Sequence, residues 1–411
     1  MKWVKFIFCS CAVASAAPLS SAWIQLDEGA RSIIRIVVPA QEACPAVQVD
    51  GATKSMDIRR PIPAGFPPLC ELRIAQGAKQ AVVNGQKLRF PKPNPTKIVA
   101  FGDTGCRIKG AQLQDCNNPE KWPFERVAGA TVATKPDLFL HVGDYLYRED
   151  PCPPGKEAMC GGTPHGDNWD TWNADFFKPA RKLLESVPLV LARGNHEDCT
   201  RAWRGWGYYL DTHPWTGVCQ LTPPPVRVEL GKFRVVVFDS TALNDNRTDP
   251  ALVQNYAAQL ASVKTEHALL LDHHPFWALR GTAGNPTAPE TETLEQAWDK
   301  GAPKGIDLVV SGHTHTFEIL GFGGMRPVQI VAGNGGTALE ERLPPRITGV
   351  EIHGFQAIAG QTDRVFGYTT LTKTSKGWDV VLRNVAGKKL ANCAVQGFNA
   401  TCKSPDSRAS D

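Results

Sequence analysis

The sequence has no strong excess of charge of either sign. Its 411 residues include 45 lysines and arginines against 41 aspartates and glutamates, which leaves a formal net charge of +4. It also has no long basic run, so a nucleic-acid polymer is not expected as a partner. Internal repeats and low-complexity tracts are absent too, which excludes repeat architectures.

Long apolar stretches are missing as well. The apolar segment 6–13 is too short to span a bilayer as a permanent helix, and no later segment qualifies. Lysines precede this segment and small residues follow it, a pattern typical of a signal peptide. We therefore expect residues 1–22 to be removed on export to a periplasm or the cell exterior. Cleavage after Ala16 and a buried N-terminal helix are the alternatives.

Cysteine usage agrees with export. Twelve cysteines are present, and removing Cys9 and Cys11 with the signal peptide leaves ten. An even number in an exported chain indicates disulfide bonds, and the spacings do not resemble paired zinc knuckles. Because successive cysteines enclose short loops, pairing in sequence order is the simplest prediction. The pairs would be Cys44 with Cys70, Cys106 with Cys116, Cys152 with Cys160, Cys199 with Cys219, and Cys393 with Cys402.

The first part of the mature chain, residues 23–90, has the pattern of a small β-rich domain. Residues 32–38 form a β-branched run, and the pair Asn84 and Gly85 indicates a hairpin turn. A proline-rich stretch follows at residues 91–95. Because proline fixes the backbone and removes a donor, this stretch predicts a stiff linker between two domains.

From residue 96 the pattern changes to short apolar runs that end in Gly, Asp, Asn or His. Continuous runs of this length are typical of strands buried on both faces. Helix-like stretches such as 176–185 and 252–263 lie between them, so an α/β domain is expected over residues 96–390, with a disulfide-bonded tail at 391–411. The runs cover residues 97–101, 138–142, 188–192, 233–238, 268–271 and 306–310.

A polar cluster directly follows five of these runs. Open α/β sheets bind ligands beyond the carboxyl ends of their strands, so the five clusters could converge on one point. Their carboxylates, imidazoles and amide oxygen suit zinc, manganese or iron. Two carboxylates and three imidazoles exceed the needs of one tetrahedral metal, whereas two metals sharing a bridging carboxylate would use them all. The clusters begin at Gly102, Gly143, Gly194, Asp272 and Gly312.

In this order, the motifs GDTG, GDYLY, GNHE, HHP and GHTH resemble the calcineurin-like metallophosphoesterase superfamily. Gly105 stands where most members have a histidine, and Tyr147 lies three residues after Asp144; both features resemble the purple acid phosphatase branch. The resemblance covers roughly residues 97–335. With the alternation of strands and helices, it predicts a four-layer α/β/β/α sandwich of mixed sheets after the small β-rich domain.

The resemblance implies a role for each motif residue. Asp144 would bridge two metal ions. His196 would bind no metal, but would contact the substrate phosphate and stabilise charge or assist the leaving oxygen. The first metal would be iron(III) with a visible phenolate charge-transfer band, and the second would be iron(II), zinc or manganese. The other implied ligands are Asp103, Tyr147 and His315 for the first metal, and Asn195, His273 and His313 for the second.

Two choices between neighbouring residues remain. His273 is taken as the ligand because the family pattern places the ligand two residues before the proline, and His274 would then face the substrate. Tyr147 is taken as the phenolate, with Tyr145 as the alternative. The candidate substrate-binding residues are His274 and two histidines in loops between the motifs, His165 and His213.

These features predict an exported, metal-dependent hydrolase in which a metal-bound hydroxide attacks a small phosphate monoester. A phosphodiesterase or nucleotidase on the same centre is the alternative among enzymes, and the shapes of loops 148–175 and 200–225 would decide between them. A binding protein that keeps the fold without turnover is the alternative from another class. The oligomeric state and the natural substrate are left open.

Overall fold

The computed structural model describes residues 18–282 and 285–403. Most of the predicted signal peptide, including Cys9 and Cys11, therefore lies outside the described residues. In these two ranges, no helix combines the length and the apolar character that crossing a membrane requires.

The secondary structure is mainly strand before residue 91 and mixed after it. The first strands are β1 (Trp23–Leu26), β2 (Ser32–Val37), β3 (Ala46–Val49), β4 (Ala52–Ser55), β5 (Asp57–Ile58), β6 (Leu69–Ile74), β7 (Gln80–Val83) and β8 (Gln86–Arg89). Next come β9 (Lys97–Phe101), β10 (Ile108–Lys109), β11 (Gln112–Leu113), α1 (Phe124–Ala133), β12 (Leu138–His141), α2 (Glu157–Cys160), α3 (Trp169–Trp172), α4 (Arg181–Ser186), β13 (Leu189–Leu191) and α5 (Trp203–Gly205).

The remaining elements follow the same alternation of strands and helices before ending in strands. They are β14 (Val226–Leu230), β15 (Phe233–Val237), α6 (Pro250–Ser262), β16 (Lys264–Leu271), β17 (Arg280–Thr282), β18 (Asn285–Thr287), α7 (Thr293–Gly301), β19 (Lys304–Ser311), β20 (Phe317–Gly321), β21 (Val328–Ala332), β22 (Val350–Ile352), β23 (Phe355–Ala357), β24 (Ala359–Asp363), β25 (Gly367–Lys373), β26 (Trp378–Asn384), β27 (Lys389–Gln396) and β28 (Asn399–Cys402).

Two large mixed sheets form the centre of the molecule. The first has the strand order β28-β27-β26-β25-β9-β12-β13-β1-β2-β6-β5, and the second has the order β14-β15-β16-β19-β21-β20-β24. Strands β9, β12 and β13 are parallel in the first sheet, as are β15, β16, β19 and β21 in the second. The flanking strands are mostly antiparallel, so both sheets are mixed as predicted.

The layers are defined by the side chains on the two faces of each sheet. Ile98 in β9 and Leu269 in β16 belong to the core between the two sheets. Their neighbours Val99 and Leu270 belong to two outer cores, which also contain residues of the covering helices. Helices α1 and α4 cover the first sheet, and α6 and α7 cover the second. Because every second residue of a strand points to the opposite face, continuous apolar runs give buried strands with two covered faces. This arrangement confirms the four-layer α/β/β/α prediction.

The first sheet continues across the boundary predicted at residues 91–95. Strands β1, β2, β5 and β6 join this sheet, and Gln25 of β1 pairs with Leu189 of β13. Strands β3, β4, β7 and β8 form a separate four-stranded sheet. The β-rich character of residues 23–90 is confirmed, while the division of the chain into domains at this boundary stays a prediction.

Two local expectations differ from the structure. Residues 391–411, expected as a tail, include most of β27 and all of β28, which form the edge of the first sheet because alternate residues such as Cys393 and Val395 are buried. The helix expected over residues 176–185 is divided into a π-helical turn and α4. Pro179 lies between them, and proline cannot donate the hydrogen bond that a continuous helix needs.

Five disulfide bonds are formed among the described residues, and they confirm pairing in sequence order. Such bonds are compatible with an oxidising compartment. They join Cys44 to Cys70, Cys106 to Cys116, Cys152 to Cys160, Cys199 to Cys219, and Cys393 to Cys402.

Candidate metal centre

The polar clusters lie where corresponding edges of the two sheets meet. Asp103, Asp144 and Asn195 follow β9, β12 and β13 in the first sheet, whereas His273 and His313 follow β16 and β19 in the second. Because these strands run parallel within each sheet, their carboxyl ends lie on one side. Side-chain contacts connect the two sets of residues into one site.

Four donor groups contact one another around Tyr147. Its phenol oxygen lies 2.6 Å from Oδ2 of Asp144, 2.9 Å from Nε2 of His315 and 3.2 Å from Oδ1 of Asp103. Tyr145 points away from this group, because its phenol donates to a main-chain carbonyl oxygen at 2.9 Å. The structure thus brings Tyr147, rather than Tyr145, to the group with both aspartates and His315.

The chemistry of this group fits a cation. Burial raises the pKa of Asp103 and raises the pKa of Tyr147 well above its ordinary value, and the nearby carboxylates add to the effect on the phenol. Burial also opposes ionisation of Asp144, but His273 and His196 hold the pKa of Asp144 well below its usual range. Ionising both aspartates and the phenol of Tyr147 at full burial would need compensating positive charge. Oxygen and imidazole donors suit iron, zinc or manganese.

A second group of donors adjoins the first through Asp144. Nε2 of His273 lies 3.0 Å from Oδ1 of Asn195 and 3.3 Å from Oδ1 of Asp144. Nδ1 of the same ring lies 2.8 Å from the carbonyl oxygen of Val142, which fixes its orientation. Asp144 therefore faces His273 with Oδ1 and Tyr147 with Oδ2, so one carboxylate contacts both donor groups.

His313 is oriented by Asp245, a residue outside the sequence motifs. Nε2 of His313 and Nε2 of His274 lie 3.2 and 3.5 Å from the same oxygen of Asp245. A guanidinium can only donate, so Nε2 of His313 can accept from Arg280 or donate to Asp245, but not both; donation to Asp245 leaves Nδ1 with the lone pair that a metal needs. These three residues could themselves surround a cation. The guanidinium of Arg280, which also contacts Nε2 of His313, opposes that arrangement by its positive charge.

Three of the expected ligands have a backbone conformation that is unfavourable for residues with a side chain. The φ angles of Asp103, Asp144 and His313 are 56°, 58° and 68°. Each such backbone conformation costs about 1–3 kcal/mol and is kept only where the surrounding structure enforces it, which is common at functional sites. Gly194 shows how tight the surroundings are, because a Cβ at this position would lie 2.1 Å from Oδ1 of Asp144.

His196 lies beside the ligand groups. Its ring centroid is 3.9 Å from that of Tyr147, and its Nδ1 lies 2.6 Å from Oε1 of Glu149. Burial opposes ionisation of Glu149, but contacts with His196 and Lys109 outweigh it and lower the pKa of Glu149 to about 2. Burial lowers the pKa of His196. An ionised Glu149 thus lies within ion-pair distance of Nδ1 of His196, and Nε2 of the same ring lies 3.9 Å from Oδ2 of Asp144.

Two buried carboxylates hold the loops that carry the ligands. Glu197 accepts from the main-chain N–H groups of Tyr145 and Leu146 at 2.9 and 3.0 Å, which joins the second motif to the third. Asp175 accepts from the N–H of Tyr147 at 2.9 Å. Metal sites commonly depend on such supporting contacts, because they fix the ligands before the metal binds.

The ligand groups open into a cleft of about 450 Å³. Its lining includes Asn195, His196, His313 and His315. None of the three expected substrate-binding histidines lines this cleft. His274 is buried against a small neighbouring cavity, His165 is exposed elsewhere, and His213 is held by Asp211 at 2.8 Å in a separate groove.

Sequence reasoning did not single out Glu149, Asp175 or Asp245 as site residues. Glu149 lies two residues after Tyr147, and this proximity was the one available signal for its role. Asp175 and Asp245 lie in segments without any motif, and the fold brings them to the site over long sequence separations. The pattern Asn244-Asp245-Asn246 is typical of a turn, so it gave no functional signal.

Comparisons with known proteins agree with this geometry. A family model described as calcineurin-like phosphoesterase matches residues 96–317. The structure is similar to that of purple acid phosphatase PPD1 from yellow lupin (Lupinus luteus) seeds, with a TM-score of 0.57 and 16% identity over 90% of this chain and 72% of that one. It is also similar to the structure of PhoD, with a TM-score of 0.59 and 11% identity over 94% of this chain and 92% of that one. At these identities the similarity shows a shared fold. No curated protein sequence matches the chain significantly.

Proposed function

This chain belongs to the calcineurin-like phosphoesterase family, and we propose that, as a metal-dependent phosphoesterase, it hydrolyses phosphate monoesters with two bound metal ions. The observation that carries this proposal is the position of Asp144 between two donor groups. Its Oδ2 contacts the phenol of Tyr147, and its Oδ1 faces His273 at 3.3 Å.

The residues divide naturally between two metal positions, with Asp144 shared. Bound cations of this kind supply Lewis-acid activation of the phosphoryl group and of an attacking water. A phenolate donor at the first position favours iron(III), and the second position suits iron(II), zinc or manganese. The first position would be held by Asp103, Tyr147 and His315, and the second by Asn195, His273 and His313.

The protein side chains have tasks of their own in this reaction. His196 would contact the phosphate through Nε2, the nitrogen left free by the contact between Nδ1 and Glu149. Nε2 can donate only in the imidazolium form, which the ionised Glu149 favours; that form would stabilise charge on the phosphoryl oxygens or protonate the leaving oxygen. An ionised Glu149 at 2.6 Å from Nδ1 favours one orientation of the His196 ring before substrate arrives.

The test compares Asp144→Asn with Asp170→Asn, an exposed aspartate on α3 that serves as a matched control. Hydrolysis of 4-nitrophenyl phosphate and of bis(4-nitrophenyl) phosphate is measured together with bound metal. We expect the monoester to be preferred, the Asp144→Asn protein to lose at least about a hundredfold in kcat/KM, and the control to match wild type. Unchanged hydrolysis by the Asp144→Asn protein would rule out the two-metal mechanism, and a preference for the diester would point to a phosphodiesterase.

We also propose that residues 1–22 act as a signal peptide and that the chain is exported. The five disulfide bonds support this proposal, since such bonds persist in oxidising compartments. Sequencing the N-terminus of the protein recovered from an expressing cell tests it. A mature protein beginning at Trp23 is expected, and a chain that keeps Met1 would contradict it.

A further inference from the structure

The wall of the metal-centre cleft carries four basic side chains, here called the cationic rim: Arg107, Lys109, Arg201 and Arg280. Two carboxylates beyond the expected ligands, Asp245 and Glu340, also line this cleft. The imidazoles of His274 and His313 contact Asp245. Among the cleft-lining residues that are not expected ligands, four basic side chains therefore face two carboxylates.

Two members of the rim have an acidic neighbour within the protein. Nζ of Lys109 lies 2.8 Å from Oε2 of Glu149, and Nε of Arg201 lies 3.9 Å from the same oxygen. Glu149 also contacts His196, so one carboxylate serves three basic groups. A structural role therefore accounts for the presence of Lys109 and Arg201 in the cleft: they help to position Glu149 and, through it, His196.

Arg107 and Arg280 differ from the other two. Within residues 18–282 and 285–403, neither guanidinium lies within ion-pair distance of a carboxylate. Arg107 donates to the amide oxygen of Gln112 at 2.6 Å, and its guanidinium carbon lies 4.7 Å from the centroid of the Tyr147 ring. Arg280 contacts the imidazole of His313. Both guanidinium groups thus reach residues of the metal centre and keep unneutralised positive charge there.

We propose that Arg107 and Arg280 select phosphate esters whose leaving group carries a second anionic group, a carboxylate or a further phosphate. This inference rests on the proposed function, because it places the transferred phosphoryl group against the expected ligands and His196. The volume of about 450 Å³ leaves room beside that group. A guanidinium binds carboxylate and phosphate oxygens through paired, charge-assisted hydrogen bonds, which are among the strongest that side chains make.

The experiment compares two substrates of similar size on the metal-loaded protein. Glycerol phosphate has a neutral leaving group, whereas 3-phosphoglycerate has a carboxylate in the corresponding place. Glycerol 1,3-bisphosphate, which carries a phosphate instead, shows which of the two anions is preferred. We expect kcat/KM to be about tenfold or more higher for the anionic leaving groups, because a tenfold change corresponds to about 1.4 kcal/mol, which one hydrogen bond to a charged group can supply. The preference should decrease with added salt, because the cleft is open to solvent.

The variants Arg107→Gln and Arg280→Gln should each reduce this preference severalfold, mainly through KM. Arg181→Gln makes the same charge change on the exposed surface of α4 and should leave both the preference and the activity unchanged. Bound metal is measured in each variant, so loss of metal can be told from loss of selectivity. Equal kcat/KM for neutral and anionic leaving groups in wild type would overturn this inference and leave the phosphatase proposal intact. Failure to hydrolyse any of the three esters would overturn both.

Discussion

The phenol oxygen of Tyr147 lies 2.6 Å from Oδ2 of Asp144, three residues earlier in the chain. The left-handed backbone at Asp144, with φ of 58°, turns the chain so that both side chains enter the same site. This contact makes Tyr147 the residue on which the iron proposal depends.

Replacing Tyr147 with Phe should abolish the visible charge-transfer band of the iron-loaded protein, because the phenolate donor is removed. Tyr145→Phe is the matched control, since the Tyr145 phenol contacts a main-chain carbonyl oxygen away from the ligands. The absorption spectrum and the metal content of both variants are the measurements. A wild-type protein that binds two metals without colour would remove the iron–tyrosine assignment and retain the phosphoesterase.

Replacing Glu149 with Gln should lower kcat by about ten- to a hundredfold, the usual effect of removing a carboxylate that orients a functional histidine. The amide keeps the shape but loses the charge that holds Nδ1 of His196 at 2.6 Å. Bound metal should stay near wild type, because Glu149 contacts His196 rather than a proposed ligand. The control is Glu229→Gln, a change in an exposed pair with Arg234. Equal loss in both variants would contradict the positioning role.

Replacing Asp245 with Asn should weaken binding of the second metal by about ten- to a hundredfold, because a neutral amide replaces the charged carboxylate beside Nε2 of His313. The first metal should remain bound. Equilibrium dialysis against each metal gives the two affinities. A surface pair offers the control: Asp307→Asn removes the partner of the exposed His267, 2.9 Å away, and should change neither affinity. If Asp245→Asn kept wild-type affinity for both metals, the proposed orientation of His313 would be wrong.

The stability of the metal-free protein should depend on pH through Glu318. Burial raises the pKa of this carboxyl group to about 8, against about 4.3 in an unfolded chain. Between these values the unfolded state loses the proton and the folded state keeps it. Stability should therefore fall as pH rises from about 4.3 to 8, by up to about 1.4 kcal/mol per pH unit from this group.

Urea unfolding at several pH values tests this dependence. The Glu318→Gln protein stays neutral in both states, so its stability should fall less steeply over the same range. Its side chain can still accept the hydrogen bond from the N–H of Leu279. Glu266→Gln, at an exposed position, should follow the wild-type curve. Parallel curves for wild type and Glu318→Gln would show that Glu318 does not titrate in this range.

Continuous apolar runs were sufficient to predict the buried strands. The run at residues 97–101 coincides with β9, and the run at 138–142 covers β12 and one residue more, because both strands are covered on two faces and need no alternation. Strands at the periphery were harder to predict. β27 mixes buried and half-exposed residues, so its sequence has no continuous apolar run. It forms because it pairs with the edge of β26, and this pairing depends on the tertiary structure.

The same distinction applies to the site. The expected ligands follow strands directly, so their order in the sequence predicted where they would gather. Glu149 and Asp245 could not be assigned in this way, because each acts through a histidine from another segment. The prediction that His165 and His213 contact substrate depended on loops whose paths no local pattern specifies, and neither residue reaches the cleft.

Gln25 of β1 pairs with Leu189 of β13. The N-terminal strands of the first sheet therefore border its parallel strands on the side of β13. A chain beginning at residue 96 would keep every expected ligand and yet expose the hydrogen-bonding groups of β13 along one side. An unprotected strand edge invites pairing with another molecule. The N-terminal strands would then prevent self-association by covering this edge. A chain cut at the proline-rich stretch would keep the catalytic residues but lose solubility.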